Sequence, residues 1–308
     1  MADLAVIGAG AVTRARRAVG GRRSRGWRNL LFVAPFLAVY VTLLVYPLFA
    51  GMSLSFFKAD LFGVEQFVGL RNFGRLLVDP LFHGTLWNTV YFVLLTVPTL
   101  TALGLGLALA LNRQTRTAAI FRAIFFSSTV LSVTVVTLIW RVIYLPDGGL
   151  ASTALGLMGR EPIAFLNDVR LVMPALAATT VWWCIGLPMM LFLAALQQVP
   201  RDLYEAAALD RAGPWTTLLR ITLPSIARTF VLVLIIEVIL QFQLFGQPQL
   251  MTLGGPNNAS RSIVLAIYET GFRQWDLGYA AAASQVLFAI ILVAAMAQYA
   301  VSRRQGAA

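Results

Sequence analysis

The chain has 308 residues, 59% of them hydrophobic and only 12% charged, with a mean hydropathy of +0.78. Soluble domains carry about 25% charged residues, so this composition excludes a freely soluble protein and calls for membrane lipid around it. The net charge is +11, with every basic residue but one an arginine. It is parcelled into short runs between apolar segments instead of forming a stripe, which argues against nucleic acid as a partner.

The first 28 residues form an Arg-rich tail holding Arg14, Arg16, Arg17, Arg22, Arg23, Arg25 and Arg28. Within it Gly8-Ala9-Gly10 is a partial dinucleotide-type turn, but Thr13 stands where a third glycine belongs and no strand-helix unit follows. The tail and the apolar run after it read as a retained first helix and not a signal peptide, because Pro47 and Phe49 replace a small-residue cleavage site.

A helix needs about 20 apolar residues to cross a hydrocarbon core of about 30 Å. Six runs meet that length: 30–48, 86–111, 120–144, 172–196, 225–245 and 279–301. They are too long for barrel strands and lack a period of two, so they are predicted as helices that satisfy their own backbone in lipid. The expected fold is therefore all-α, a polytopic membrane protein of six transmembrane helices. A membrane domain over 29–304 lies between the 1–28 tail and a short tail, 305–308. Sixteen basic residues fall in the tails and the second and fourth connections, against seven in the three opposite loops, which hold eight of the thirteen acids. The positive-inside rule then puts both termini and the 197–224 connection in the cytoplasm.

The opposite loops carry turn chemistry. Residues 52–85 include an interfacial-looking Phe67-Val68-Gly69-Leu70-Arg71-Asn72-Phe73; Pro146-Asp147-Gly148-Gly149 and Gly254-Gly255-Pro256-Asn257-Asn258 are rigid turns. His83 is expected in a solvated loop, and Arg141 is expected to snorkel toward Asp147. The hydroxyl-rich stretch Ser127, Ser128, Thr129, Ser132, Thr134 and Thr137 reads as close helix packing. One Cys, Cys184, and one His allow neither a disulfide framework nor a Cys/His metal centre within the chain.

The 197–224 connection has the most specific pattern. Pro200 and Arg201 open a predicted helix with Asp202 in its first turn, where an acid suits the helix dipole. Leu203, Ala206, Ala207 and Asp210 then fall at spacings of three and four, and the small alanines allow a partner to approach closely. Gly213 is expected to supply the left-handed residue that stops the helix, with Pro214 opening a second helix and Leu223-Pro224 closing the loop. Glu205 is free to cap, to pair with Arg201 or Arg211, or to meet a basic partner.

Glu205-Ala206-Ala207, Gly213 and Ile221-Thr222-Leu223-Pro224 resemble the EAA loop of permeases of bacterial ABC importers, whose coupling helix docks on the ATPase subunit. Further stretches are similar to the maltose-transporter-like carbohydrate subfamily, which imports sugars or sn-glycerol 3-phosphate. They include 67–73, Asn88-Thr89, 105–112, 121–126, Trp140-Arg141, 193–200, Gly254 to Asn257 and 278–282, so that the likeness covers about 30–304. The resemblance implies a type I ABC importer permease fold and a non-catalytic transport subunit of the inner membrane. It also implies four partners besides lipid: a second homologous permease, two ABC ATPase subunits and an extracytoplasmic solute-binding protein. This chain would bind no cofactor; ATP and Mg would sit on the ATPases, and no nucleotide-cradling Gly-rich loop ending in Lys-Ser/Thr occurs here. Arg211 departs from the family, which commonly has Gly after this aspartate.

By this resemblance Glu205, Ala206, Ala207, Asp210, Gly213, Leu223 and Pro224 are coupling candidates, and Gly254, Gly255, Pro256 and Asn257 are binding-protein contacts. Candidates for a solute cavity come from the residues themselves. Glu237 is the one acid at a span centre, Gln241 lies a helical turn further on, and Phe245 adds an aromatic face. Trp183, Ser284 and Gln285 are secondary candidates. The equal alternative for Glu237 and Gln241 is structural hydrogen bonding to the partner permease. The rival function is a self-contained secondary transporter or channel, which would place several ionisable groups near the midplane and needs no cytoplasmic docking loop.

Overall fold

The computed structural model describes residues 25–60 and 63–305. The Arg14–Arg23 cluster, the Gly8–Gly10 turn and 306–308 lie outside the described residues. The chain divides after Ser53 into two units. The first contains α1 (Arg25–Tyr40) and α2 (Tyr46–Leu54), joined by a π-helical turn, Val41–Val45. Its stretch Phe32–Leu54 is long and apolar enough to cross a membrane. Phe32, Leu43 and Tyr46 stand exposed on it, an apolar surface that lipid or a protein neighbour must cover.

The second unit opens with an antiparallel hairpin, β1 (Phe57–Asp60) and β2 (Gly63–Phe67), in which Phe57 faces Phe67 across a bulge at Lys58/Ala59. No strand was expected here; strands of four and five residues leave too little periodicity to read. Gly69 takes a left-handed backbone (φ 57°) just before α3 (Arg71–Val78), so the 67–73 segment is a turn leading into a helix.

α4 (Pro80–Ala110) is the spine. Asp79 caps it by accepting the Leu81 amide at 2.8 Å, and Pro80 occupies the first turn, where a missing N–H costs nothing. His83 is exposed as expected, but in the first turn of α4 instead of a loop. Its 31 residues span about 46 Å at 1.5 Å per residue. Buried threonines are tolerated along it because their hydroxyls donate back to carbonyls a turn earlier, as Thr89 does to Thr85 (2.9 Å) and Thr96 to Phe92 (2.8 Å).

The third and fourth expected spans are each bent, and the fifth starts at a sharp turn out of the preceding loop. α5 (Arg116–Val130) and α6 (Val133–Ile143) meet at 102°, because Leu131 and Ser132 adopt extended backbone and Ser132 caps α6. α8 (Val172–Cys184) and α9 (Gly186–Leu196) meet at 46°. Pro188 explains this bend, since it can give no hydrogen bond to the Cys184 carbonyl. The hydroxyl stretch runs from the end of α5 across the break into α6, and its packing role is visible. Ser128 and Thr129 donate to the Trp183 carbonyl (3.2 Å each). Gly186 sits so close that a Cβ would lie 2.6 Å from Thr129 Oγ1 and 2.7 Å from the Phe125 carbonyl.

After α7 (Leu150–Leu157) and the α8–α9 pair, the chain forms α10 (Arg201–Leu209), α11 (Pro214–Thr217), a π-helical turn (Leu218–Thr222) and α12 (Leu223–Ser225). It then turns through 72° into α13 (Ala227–Phe242), runs through a π-helical turn (Pro248–Thr252) and α14 (Ile263–Phe272), and ends in α15 (Leu277–Gln305). Among the described residues three helices are singly long and apolar enough to cross a membrane, and up to six crossings result if each bent pair is one, the arm Pro214–Ser225 of the last pair belonging to the 197–224 loop.

Three clusters form the core of this unit. One joins the start of α4 to α3, α13 and α15 through Leu76, Phe82, Val93, Phe242 and Tyr279. A second surrounds Phe92, Tyr144 and Leu176. The third joins the far end of α4, at Ala108, to Phe192, Leu196, Ile226 and Val233. The two ends of α4 therefore anchor different machinery: the hairpin and α3 at its start, the α10–α12 loop at its finish.

Candidate functional site

The α10–α12 loop folds as one compact knob. Pro200 precedes α10 with extended backbone, and Asp202 lies in the first helical turn. At the other end the Arg211 amide donates to the Ala208 carbonyl (3.1 Å) and the Ala212 amide to the Ala207 carbonyl (2.9 Å). This pair of bonds is the Schellman arrangement, which requires a left-handed residue between them. That residue is Arg211 (φ 54°), not Gly213, which is extended at φ −69°, ψ 164°. The expectation for Gly213 fails because the helix stops two residues earlier, at Asp210. A Cβ on Gly213 would meet nothing within 4 Å, so this chain's own fold does not demand a glycine there.

The knob has an inward and an outward side. Ala207 and Thr222 are buried, the Tyr204 hydroxyl meets Thr222 Oγ1 at 3.3 Å, and Leu223 packs with Ile226 on the third core cluster. Glu205, Ala206, Asp210, Gly213 and Pro224 are exposed. So are large apolar groups: Leu209 is 86% and Trp215 74% exposed, with Leu203 and Leu219 beside them in sequence. Among the described residues no ion pair involves Arg201, Asp202, Glu205, Asp210, Arg211 or Arg220. Of the three roles open to Glu205, pairing with Arg201 or Arg211 does not occur among the described residues.

Glu237 and Gln241 come together as predicted, with Gln241 Nε2 donating to Glu237 Oε2 at 3.0 Å. They do not face open space in this conformation: Glu237 is 1% exposed and Gln241 5%. Beyond α13, Gln247 donates to Thr180 Oγ1 (3.0 Å), a buried link the sequence did not single out. Phe245 is half-buried against Tyr268, with ring centroids 5.2 Å apart. Trp183 gives its indole N–H to the Leu131 carbonyl (3.0 Å) and so braces the α5–α6 break. Ser284 bonds its own helix at the Ala280 carbonyl, and Gln285 is half-buried nearby.

The Gly254–Asn257 turn is rigid for a reason the sequence left unexplained. Leu253, Gly254, Asn257 and Asn258 all have positive φ, and Asn88 on α4 donates to the Asn258 (2.8 Å) and Arg261 (3.1 Å) carbonyls. Gly254 is buried against the Arg261 side chain, Gly255 and Pro256 are half-buried, and Asn257 is exposed. Arg141 makes no ion pair with Asp147. It lines a cavity of about 490 Å³ with Asn167, Gln249 and Thr252.

A further network lies at the start of α4. The Tyr279 hydroxyl donates to Asp79, Arg75 lies 4.6 Å over the Tyr279 ring, and Arg75 Nη2 pairs with Asp276 Oδ2 at 2.9 Å. Partial burial pushes the Asp79 carboxyl up. The hydrogen bonds from Tyr279 and the Leu81 and Phe82 amides outweigh it and hold the group below the ordinary carboxylate value. Sequence reasoning missed this network because its members are 200 residues apart.

Residues 102–306 match the model of the family of binding-protein-dependent transport system inner membrane components. The chain belongs to that family. It is thus a multi-pass permease subunit of an ABC importer, and ATP is hydrolysed by separate subunits. Among curated relatives, the permease is 32% identical to the sulfoquinovosyl glycerol transport system permease protein of Agrobacterium fabrum, covering 85% of each chain. It is 30% identical to the sn-glycerol-3-phosphate transport system permease protein of Salmonella choleraesuis, covering 90% of this chain and 94% of that one. In fold it is similar to a chain of a bacterial alginate ABC transporter solved with its pentasaccharide-bound periplasmic protein. The TM-score is 0.81 at 23% identity, over 91% of this chain and 96% of that one.

Proposed function

We propose that this permease imports a carbohydrate or related polyol, with the α10–α12 knob as the contact through which an ATPase subunit drives it. The observation that carries the reading is the outward side of that knob. Charged Glu205 and Arg211 make no ion pair among the described residues and project beside exposed, apolar Leu209 and Trp215, while Ala207, Leu223 and Ile226 root the knob in the core. A surface this apolar next to unpaired charge fits a protein interface, not free solution. The relatives named for sulfoquinovosyl glycerol and glycerol phosphate support the solute class. The excess of arginine on this side supports a cytoplasmic knob and cytoplasmic termini. The assembly is this chain, a second permease, two ATPases holding ATP and Mg, and an extracytoplasmic binding protein that delivers solute.

The Glu237–Gln241 pair is enclosed here and meets solute when the helices part during the cycle. Keeping a carboxylate inside a bundle costs a few kcal/mol, which a functional role would justify. One experiment tests both parts. In the complex reconstituted with its ATPases and binding protein, Glu205→Lys abolishes solute-stimulated ATP hydrolysis and uptake while the permeases stay assembled. Gln241→Ala weakens uptake and leaves the ATPases attached. Normal coupling in Glu205→Lys refutes the docking role, and unchanged uptake kinetics in Gln241→Ala make that pair purely structural.

A further inference from the structure

At the end of α4 opposite the knob, β1, the start of α3 and the 274–276 turn enclose a cleft of about 340 Å³. Its lining includes Lys58, Asp60, Arg71, Arg75, Trp275 and Asp276. The framework is pinned. Asn72 is buried and donates to the Ser55 (2.9 Å) and Phe57 (3.0 Å) carbonyls, and Gly278 lets the Phe57 carbonyl approach where a Cβ would lie 2.1 Å away. Arg75 is held between Asp276 and the Tyr279 ring, so its charge is neutralised. Lys58 and Asp60 carry opposite charges and have contacts of their own. Arg71 is exposed, and among the described residues no carboxylate pairs with it.

Two lining residues stand where the fold itself would prefer something else. Arg71 is the first residue of α3, where the helix dipole favours an acid and opposes a cation. Trp275 holds a left-handed backbone (φ 60°), which suits glycine or asparagine, and its side chain is 43% exposed instead of buried in the core. Local rules broken without a return inside the chain point to a use outside it.

We propose that this cleft is a docking pocket for an acidic side chain of the binding protein, whose carboxylate pairs with Arg71 while Trp275 packs against its stem. The proposal rests on the importer reading above and adds a place and a chemistry to it. The opposite end of α4 carries the ATPase knob, so the cleft lies on the side from which the binding protein approaches. A rigid site with one unneutralised cation and an aromatic wall matches an anionic anchor on a protein surface.

The test uses the full complex in nanodiscs, titrated with purified solute-loaded binding protein, reading ATP hydrolysis against binding-protein concentration. Two variants favour the native fold locally: Arg71→Glu suits the helix start, and Trp275→Gly suits the left-handed backbone. The expected result is a rise of about tenfold in the half-maximal binding-protein concentration for Arg71→Glu, a smaller rise for Trp275→Gly, and unchanged hydrolysis without binding protein. Added salt weakens the native response and flattens the difference. Superimposable titrations overturn the proposal, as does a crosslink from position 275 to the partner permease instead of the binding protein. If the native complex does not respond to binding protein at all, the importer reading itself fails, and the two failures are thereby distinguished.

Discussion

Arg211 offers a sharp test of how the knob is built. Its backbone sits at φ 54° to close the Schellman arrangement at the end of α10. A residue with a Cβ in that region is disfavoured by about 1–2 kcal/mol. Two terms offset part of this in Arg211→Gly. Glycine loses more chain entropy on ordering, and an exposed cation near a helix C-terminus contributes about 0.3–0.5 kcal/mol that would be lost. The net stabilisation of the helix end is then about 0.5–1 kcal/mol, a factor of about two to five in its local opening equilibrium.

Amide hydrogen exchange on the detergent-purified permease reads this directly, since the Arg211 and Ala212 N–H groups are the donors of the two closing bonds. The expectation is a two- to five-fold slower exchange at 211 and 212 in Arg211→Gly, with little change at Ala195 or Phe192 in the core. Faster or unchanged exchange at the knob would refute the strain argument and with it the placement of the helix stop. The same substitution at Gly213 has no counterpart, because that backbone is extended and unobstructed; Gly213→Ala leaves exchange unaltered.

Two other consequences follow from contacts seen above. Gly186→Ala drives a methyl into Thr129 and the Phe125 carbonyl, so overpacking costs about 1–3 kcal/mol. The measurable result is a lower midpoint of thermal unfolding, and an unchanged midpoint denies the tight α5–α9 approach. Asp79 has a folded pKa below its unfolded value of about 3.9. Its contribution is therefore complete above pH 4 and drains away as the pH falls through the folded value. Asp79→Asn keeps an acceptor for the helix cap, so its stability deficit is largest near pH 6 and closes toward pH 3. A deficit that does not vary with pH would mean that the carboxylate charge is irrelevant.

The spans and the knob were legible because both are local. Apolar runs of 20 residues announce themselves, and Pro200, Asp202 and Pro214 mark the loop helices through capping and backbone rules that act within a turn or two. The bend between α8 and α9 was readable in principle, since Pro188 denies Cys184 its acceptor role. The break at Leu131-Ser132 was not, because Trp183 and Gly186, far along the chain, shape it. Glu237 and Gln241 illustrate the same limit. Their four-residue spacing predicts their mutual bond, but whether that face meets a cavity depends on how α13 packs against the other helices. The helix stop was misplaced by two residues because glycine was taken as the left-handed residue. Composition cannot show that an arginine has been held there against its preference.

That misplacement carries information. Along α4, α9, α13 and α15 the sequence largely agrees with its backbone: small residues lie where helices touch, and hydroxyls bond back to their own carbonyls. Disagreement stands out in Arg211 at the knob, in Arg71 and Trp275 at the cleft, and in Leu253 beside the Gly254 turn that Asn88 of α4 holds. A chain selected only to fold would remove such conflicts, because single substitutions to glycine or to an acid suffice. The knob and the cleft lie toward opposite ends of one continuous helix about 46 Å long, which fits a body held at both ends by other proteins. If the knob is the ATPase contact proposed above, motion passes along α4 as a unit, and the bends at Leu131-Ser132, Ile185 and Ile226 are where helices would part.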